Sequence, residues 1–115
     1  MRYMFLLYGP DKPLPEPGSP EGQQMIGAWR TATEAMAKAG VLIDCGPLQP
    51  PSAATTVQVR DGETLLTDGP FVEGAEVANG FYVLSAADRE EAVKLASMIP
   101  ATTVEVRQLM GVAGL

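Results

Sequence analysis

Asp68 is the side chain whose neighbours best equip it for chemistry. It lies in Thr67-Asp68-Gly69-Pro70-Phe71-Val72-Glu73. An aspartate in a turn ordinarily accepts from the backbone N–H two residues on, but that residue is Pro70, which has no N–H. The carboxylate is left to another donor, to solvent or to a ligand, and Gly69 lets the turn be sharp. Two readings follow: Asp68 is an acid/base or hydrogen-bond anchor at a pocket edge, or it accepts from the Phe71 N–H or a neighbouring strand and only shapes the turn. Phe71 is either a core plug or a platform for a ligand. Glu73 and Glu76 either ring a pocket mouth or stand solvated. With Gly80 and Tyr82 of the next strand, Phe71 and Glu73 form the expected ligand-binding set around Asp68 as the catalytic candidate.

Other chemistry is narrowed by what the chain lacks. It has no histidine, which removes the commonest general base and any triad built on imidazole. No third oxygen ligand accompanies Glu73 and Glu76, so no metal is expected. Cys45 follows Asp44, whose charge disfavours a thiolate, and reads as an inert buried thiol. Tyr3, Tyr8 and Tyr82 carry hydroxyls on strands, where aromatic rings mostly pack. Arg2, Arg60 and Arg107 would clamp an acidic ligand only if two of them converge. Gly18, Gly22 and Gly27 have neither the spacing nor the preceding strand of a phosphate loop. No cofactor is expected.

The elements that must position these residues are legible in order. Arg2–Tyr8 is apolar without clean alternation and reads as a strand covered on both faces. Five prolines from Pro10 to Pro20 inclusive exclude helix and central strand, leaving an extended loop. Ser19 is an N-cap and Pro20 a first helical residue. Met25, Trp29, Ala32 and Met36 recur at helical spacing, and Gly40 closes the helix. Val41–Cys45 is a second strand, ended by Gly46-Pro47, and Pro47–Ser52 is a loop too rich in proline to pair. Thr55–Arg60 alternates, Asp61-Gly62 is a hairpin turn, and Glu63–Thr67 returns from it. Gly80–Ser85 is the fourth core strand, with Phe81 and Val83 on one face and Tyr82 and Leu84 on the other. Asp88 and Glu91 have capping-box spacing before a helix carrying Ala92, Leu95, Ala96 and Ile99 that Pro100 stops. Thr103–Leu109 closes the chain's pattern with Val104 and Val106 inward and Glu105 and Arg107 outward.

With the hairpin set aside, the order is βαββαβ, a ferredoxin-like split βαβ α+β fold with both helices on one face of an antiparallel sheet, plus a small extra hairpin. The other face carries large apolar groups that no helix covers, which points to a homodimer through the open sheet face. At 115 residues and 46% apolar content, residues 1–115 are expected to form one globular domain. A net charge of −6 with no basic cluster argues against nucleic acid as a partner. No apolar run reaches the roughly 20 residues of a membrane span, and Tyr3–Tyr8 is too short for a signal-peptide core. A single cysteine suits a reducing, cytoplasmic setting.

The run Thr67–Glu73, Glu76 and Gly80-Phe81 resembles the signature of the DGPF-domain branch of the YCII-related proteins. The likeness continues through Met1–Tyr8, Leu48-Gln49-Pro50-Pro51, Ala54–Val57 and the helix of Ala92–Pro100, nearly the whole chain. Two positions depart from that pattern: Ala75-Glu76 and Asn79-Gly80 stand where the family has Lys-Glu and Gly-Gly. A histidine paired with the motif aspartate is also missing. The resemblance implies the same fold and a dimeric α/β-barrel assembly, and leaves three expectations for function. The first is a dimeric small-molecule-binding or accessory protein with a small polar or cyclic ligand or a protein partner. The second is a small enzyme of isomerase, dehydrochlorinase or hydrolase type using Asp68 as acid or base. The third is an accessory protein tied to sigma-factor-dependent transcription through protein contacts.

Overall fold

In a computed structural model, which describes residues 1–114, strand β1 (Arg2–Pro10) is the axis of the molecule. Its residues alternate between buried and half-buried, because one face meets both helices and no other described element covers the second face. On the helix side Tyr3, Phe5 and Leu7 join Tyr82, Leu84, Met36, Ala92 and Ile99 in one core. Phe5, Met36 and Leu84 are sealed from solvent. Each such side chain contributes about 1.5–3 kcal/mol through burial.

Helix α1 (Pro20–Lys38) starts where Ser19 accepts a hydrogen bond from the Gly22 N–H at 3.0 Å, and ends before Gly40 at φ +77°. Strand β2 (Leu42–Pro47) follows. It runs through Gly46-Pro47 instead of stopping there, pairing Pro47 with Gly80. An edge strand tolerates the missing N–H of proline. After a 3-10 turn at Pro51–Ala53 come β3 (Thr55–Arg60) and β4 (Glu63–Asp68). Asp61 and Gly62, at φ +50° and +78°, form the turn that Asp-Gly favours.

Strand β5 (Glu76–Ser85) begins earlier than its apolar run, because Glu76, Val77 and Ala78 continue the pairing with Pro10, Gly9 and Tyr8. A register shift after Leu7 leaves Asn79 as the extra residue of a bulge. Helix α2 (Arg89–Ala96) is capped by Asp88, which accepts from the Glu91 N–H at 2.9 Å. The Glu91 carboxylate reaches back to the Ala87 N–H at 3.0 Å, so the reciprocal bond falls one residue earlier than the usual box. The helix ends before Ser97, and Met98 and Ile99 close on Leu95 and Ala96 in tighter i→i+3 bonds. Strand β6 (Thr103–Gln108) completes the sheet.

The sheet order is β2-β5-β1-β6 with every pair antiparallel, the ferredoxin-like βαββαβ arrangement. One element sits differently from its expectation. Thr55–Arg60 is no core strand; it pairs only with β4 in a separate two-stranded sheet. Its alternation is real, but Thr56 and Gln58 on one face are only half-buried and Val57 and Val59 on the other are exposed. No described helix is long and apolar enough to cross a membrane.

Candidate functional site at the root of the hairpin

Asp68 is the last residue of β4 and lies opposite Thr55. Gly69 follows at φ +103°, a conformation that side-chain-bearing residues rarely adopt. Two bonds tie this corner to the start of β3: the Gly69 N–H donates to the Ala54 carbonyl at 2.7 Å, and the Thr56 hydroxyl donates to the Gly69 carbonyl at 2.7 Å. The backbone around Asp68 is therefore anchored while its carboxylate is exposed. Among the described residues no hydrogen bond reaches that carboxylate, including one from the Phe71 N–H.

Beside Asp68 lies an open hollow of about 800 Å³ lined by Asp11, Pro51, Ser52, Asp68, Gly69, Pro70, Glu73, Gly74 and Val77. Its lining brings the end of β1, the 3-10 turn, the motif loop and the start of β5 to one place. Asp11, Asp68 and Glu73 put three acidic residues in the lining, which holds no lysine or arginine. Such a field attracts a cationic or hydrogen-bond-donating group and repels an anion. No group of three His, Cys, Asp or Glu residues suited to a metal occurs among the described residues.

The other candidates separate. Glu73 joins Asp68 in the lining, whereas Phe71, Gly80 and Tyr82 do not. Phe71 is 73% exposed, so it is no core plug. Gly80 is buried in β5, where an added Cβ would stand 3.1 Å from the Gly46 carbonyl oxygen and 3.3 Å from Leu7. Its smallness serves the close approach of β2. Tyr82 is buried on the helix side, its hydroxyl 2.5 Å from that of Thr33 and its ring stacked on Trp29 at 6.3 Å between centroids. Burial pushes the Tyr82 phenol's pKa up, the Thr33 hydrogen bond opposes that shift, and Cys45 adds to it. Cys45 is half-buried there, its N–H bound to the Asp44 carboxylate at 2.8 Å.

Arg2 and Arg107 share the open sheet face, with Arg107 directly across from Met4, while Arg60 is remote at the hairpin turn. Sequence reasoning missed Asp11, Pro51, Ser52, Gly74 and Val77 as neighbours of Asp68. Only the position of Asp11 and Pro51 in proline-rich loops hinted at them, and loops carry no periodicity to show where they fold back.

The chain is similar to an uncharacterized protein of Rhizobium meliloti (strain 1021), with 31% identity over 96 residues that cover 84% of this chain and 77% of that one. The model of the YCII-related domain matches residues 1–112. By fold, by motif and by that match, the chain belongs to the YCII-related domain family.

Proposed function

We propose that this protein is a homodimeric small-molecule-binding protein of the DGPF branch, with its ligand in the hollow beside Asp68. The carrying observation is a carboxylate on an anchored backbone, without a protein donor among the described residues, at the edge of that hollow. A group held in place and left unpaired is suited to meet a ligand's donor. The acidic lining favours a small polar or cyclic ligand that is neutral or cationic. The single free cysteine suits a reducing, cytoplasmic setting.

Dimerisation is supported by the open sheet face, where Met4, Leu6, Phe81 and Val83 are only half-buried. Stacking two such faces removes this apolar surface from water. Light scattering is expected to return twice the 12.1 kDa of one chain.

The test of the site is calorimetric screening of small cyclic amines and matched carboxylic acids against the wild type and Asp68→Asn. Amines should bind in preference to acids, and Asp68→Asn should weaken them at least tenfold, the loss of one charge-assisted bond of about 1.5–3 kcal/mol. Equal binding of acids, or indifference to Asp68→Asn, would remove the hollow from consideration. A second reading, acid/base catalysis by Asp68, is favoured by the same unengaged carboxylate. It requires turnover of a bound compound that Asp68→Asn abolishes.

A further inference from the structure

The ribbon of β3 and β4 presents an apolar face that no other described element covers. No residue from Thr55 to Asp68 is buried. Val57, Val59 and Leu66 are 57%, 68% and 70% exposed. Val57 lies opposite Leu66 and Val59 opposite Thr64, so the period of two puts these three apolar side chains on one face. A two-stranded hairpin alone is marginal in water. Branched residues strengthen a ribbon mainly when something packs on them.

The dimensions of the chain say how much cover is missing. Its radius of gyration is 16.3 Å, against about 13 Å for a compact domain of this length. Its solvent-accessible surface is 8332 Å², against about 6,000 Å² for a folded monomer of this mass. The surplus of roughly 2,300 Å² exceeds the roughly 800 Å² that each partner gives to a standard interface and fits an obligate dimer. The sheet face, already half-buried, supplies only part of it; the ribbon's apolar face is a further uncovered area, beside the exposed Leu14, Phe71, Val72 and Met110.

We infer that the ribbon is an arm that lays its Val57, Val59 and Leu66 face on a second copy of this chain and thereby sets the hollow at its root. The inference rests on the dimer proposed above. Its tip, Arg60-Asp61-Gly62-Glu63, is polar, as suits an end that projects past the covered stretch. Its root is the site: Asp68 ends β4, and Gly69 is bonded to Ala54 and Thr56 at the start of β3. Fixing the arm on a partner fixes Asp68 and Gly69 with no residue between.

Sedimentation equilibrium on the wild type, Val57→Asp/Leu66→Asp, Val57→Ala/Leu66→Ala and Leu6→Asp tests this, with hydrogen exchange read above and below the dissociation constant. The aspartate pair should weaken the dimer at least about 100-fold and the alanine pair at least about tenfold, the range for two desolvated contacts. Circular dichroism should show the fold retained, and a misfolded aspartate pair leaves the alanine pair to decide. Amides from Thr55 to Glu76 should gain protection on dimerisation. Arm variants that dimerise like the wild type while Leu6→Asp is monomeric would overturn the arm and leave sheet stacking intact. Dissociation by the arm variants alone would retain the arm and remove sheet stacking. Weakened dimers without added protection at Gly69–Glu76 would overturn the coupling to the hollow. A wild type still monomeric at about 100 µM, where even a weak dimer forms, would overturn both.

Discussion

Gly22 and Gly27 both lie inside α1, and helix propensity treats them alike: alanine at either position should gain about 1 kcal/mol. Tertiary packing separates them. A Cβ at Gly22 would stand 2.0 Å from the Glu16 carbonyl oxygen, 2.8 Å from its carbon and 3.1 Å from the Pro17 Cα, whereas one at Gly27 meets nothing within 4 Å. A carbon cannot sit 2.0 Å from a carbonyl oxygen, so the loop before the helix has to leave. That carbonyl accepts from the Ser19 N–H at 2.9 Å and the Ser19 hydroxyl at 2.7 Å. Losing both costs about 1 kcal/mol each, while the Ser19 cap on Gly22 can persist. Against a gain of about 1 kcal/mol in helix propensity, Gly22→Ala should destabilise by about 1 kcal/mol or more. Gly27→Ala should stabilise by about 0.4–1 kcal/mol. Urea unfolding followed through Trp29 fluorescence measures the difference, at one fixed protomer concentration because association adds to apparent stability. If Gly22→Ala proves as stable as Gly27→Ala, the close apposition of Glu16 on the helix is refuted.

Alkaline pH should act through Tyr82. Its folded pKa is raised by burial, so the unfolded chain releases the proton first as pH passes about 10. The stability that depends on the protonated phenol is full below that pH and lost as pH rises through the folded value; Tyr82→Phe should flatten this part of the profile, as urea midpoints from pH 8 upward would show. Phe5→Ala, at a fully buried position, should cost about 3–5 kcal/mol by leaving a cavity, and a loss under 1 kcal/mol would mean the core collapses around it. Asp88→Ala removes the 2.9 Å bond to the Glu91 N–H and should cost about 1 kcal/mol, read by the same unfolding assay.

How far the site was legible follows from the range of the interactions involved. Asp68 stood out because its lack of a local donor is a property of three consecutive residues, and its carboxylate is unengaged among the described residues. Glu73 lies five residues on and shares the hollow. Tyr82 reads in sequence like any aromatic on a strand covered on both faces; that it lies beneath α1 against Thr33 and Trp29, away from the hollow, depends on which face the helices choose. Asp11 and Ser52 come to Asp68 only because β1 pairs with β5 and the 3-10 turn folds against the hairpin root. Phe71 was the ambiguous residue: a phenylalanine after proline is apolar enough for a core, and only the position of the loop leaves it in solvent.

The sequence by itself determined the local pieces: Ser19 and Asp88 as caps, Asp61-Gly62 as the turn, the inward face of β6, and the order that makes a ferredoxin-like sheet. These rest on bonds and periodicities within a few residues, so the chain states them wherever it happens to fold. Tertiary structure alone decided that Thr55–Arg60 leaves the main sheet, that the loop at Glu16 and Pro17 lies close upon Gly22, and which distant residues surround Asp68. Alternation shows that a strand has two different faces, but what covers each face is settled by partners tens of residues away.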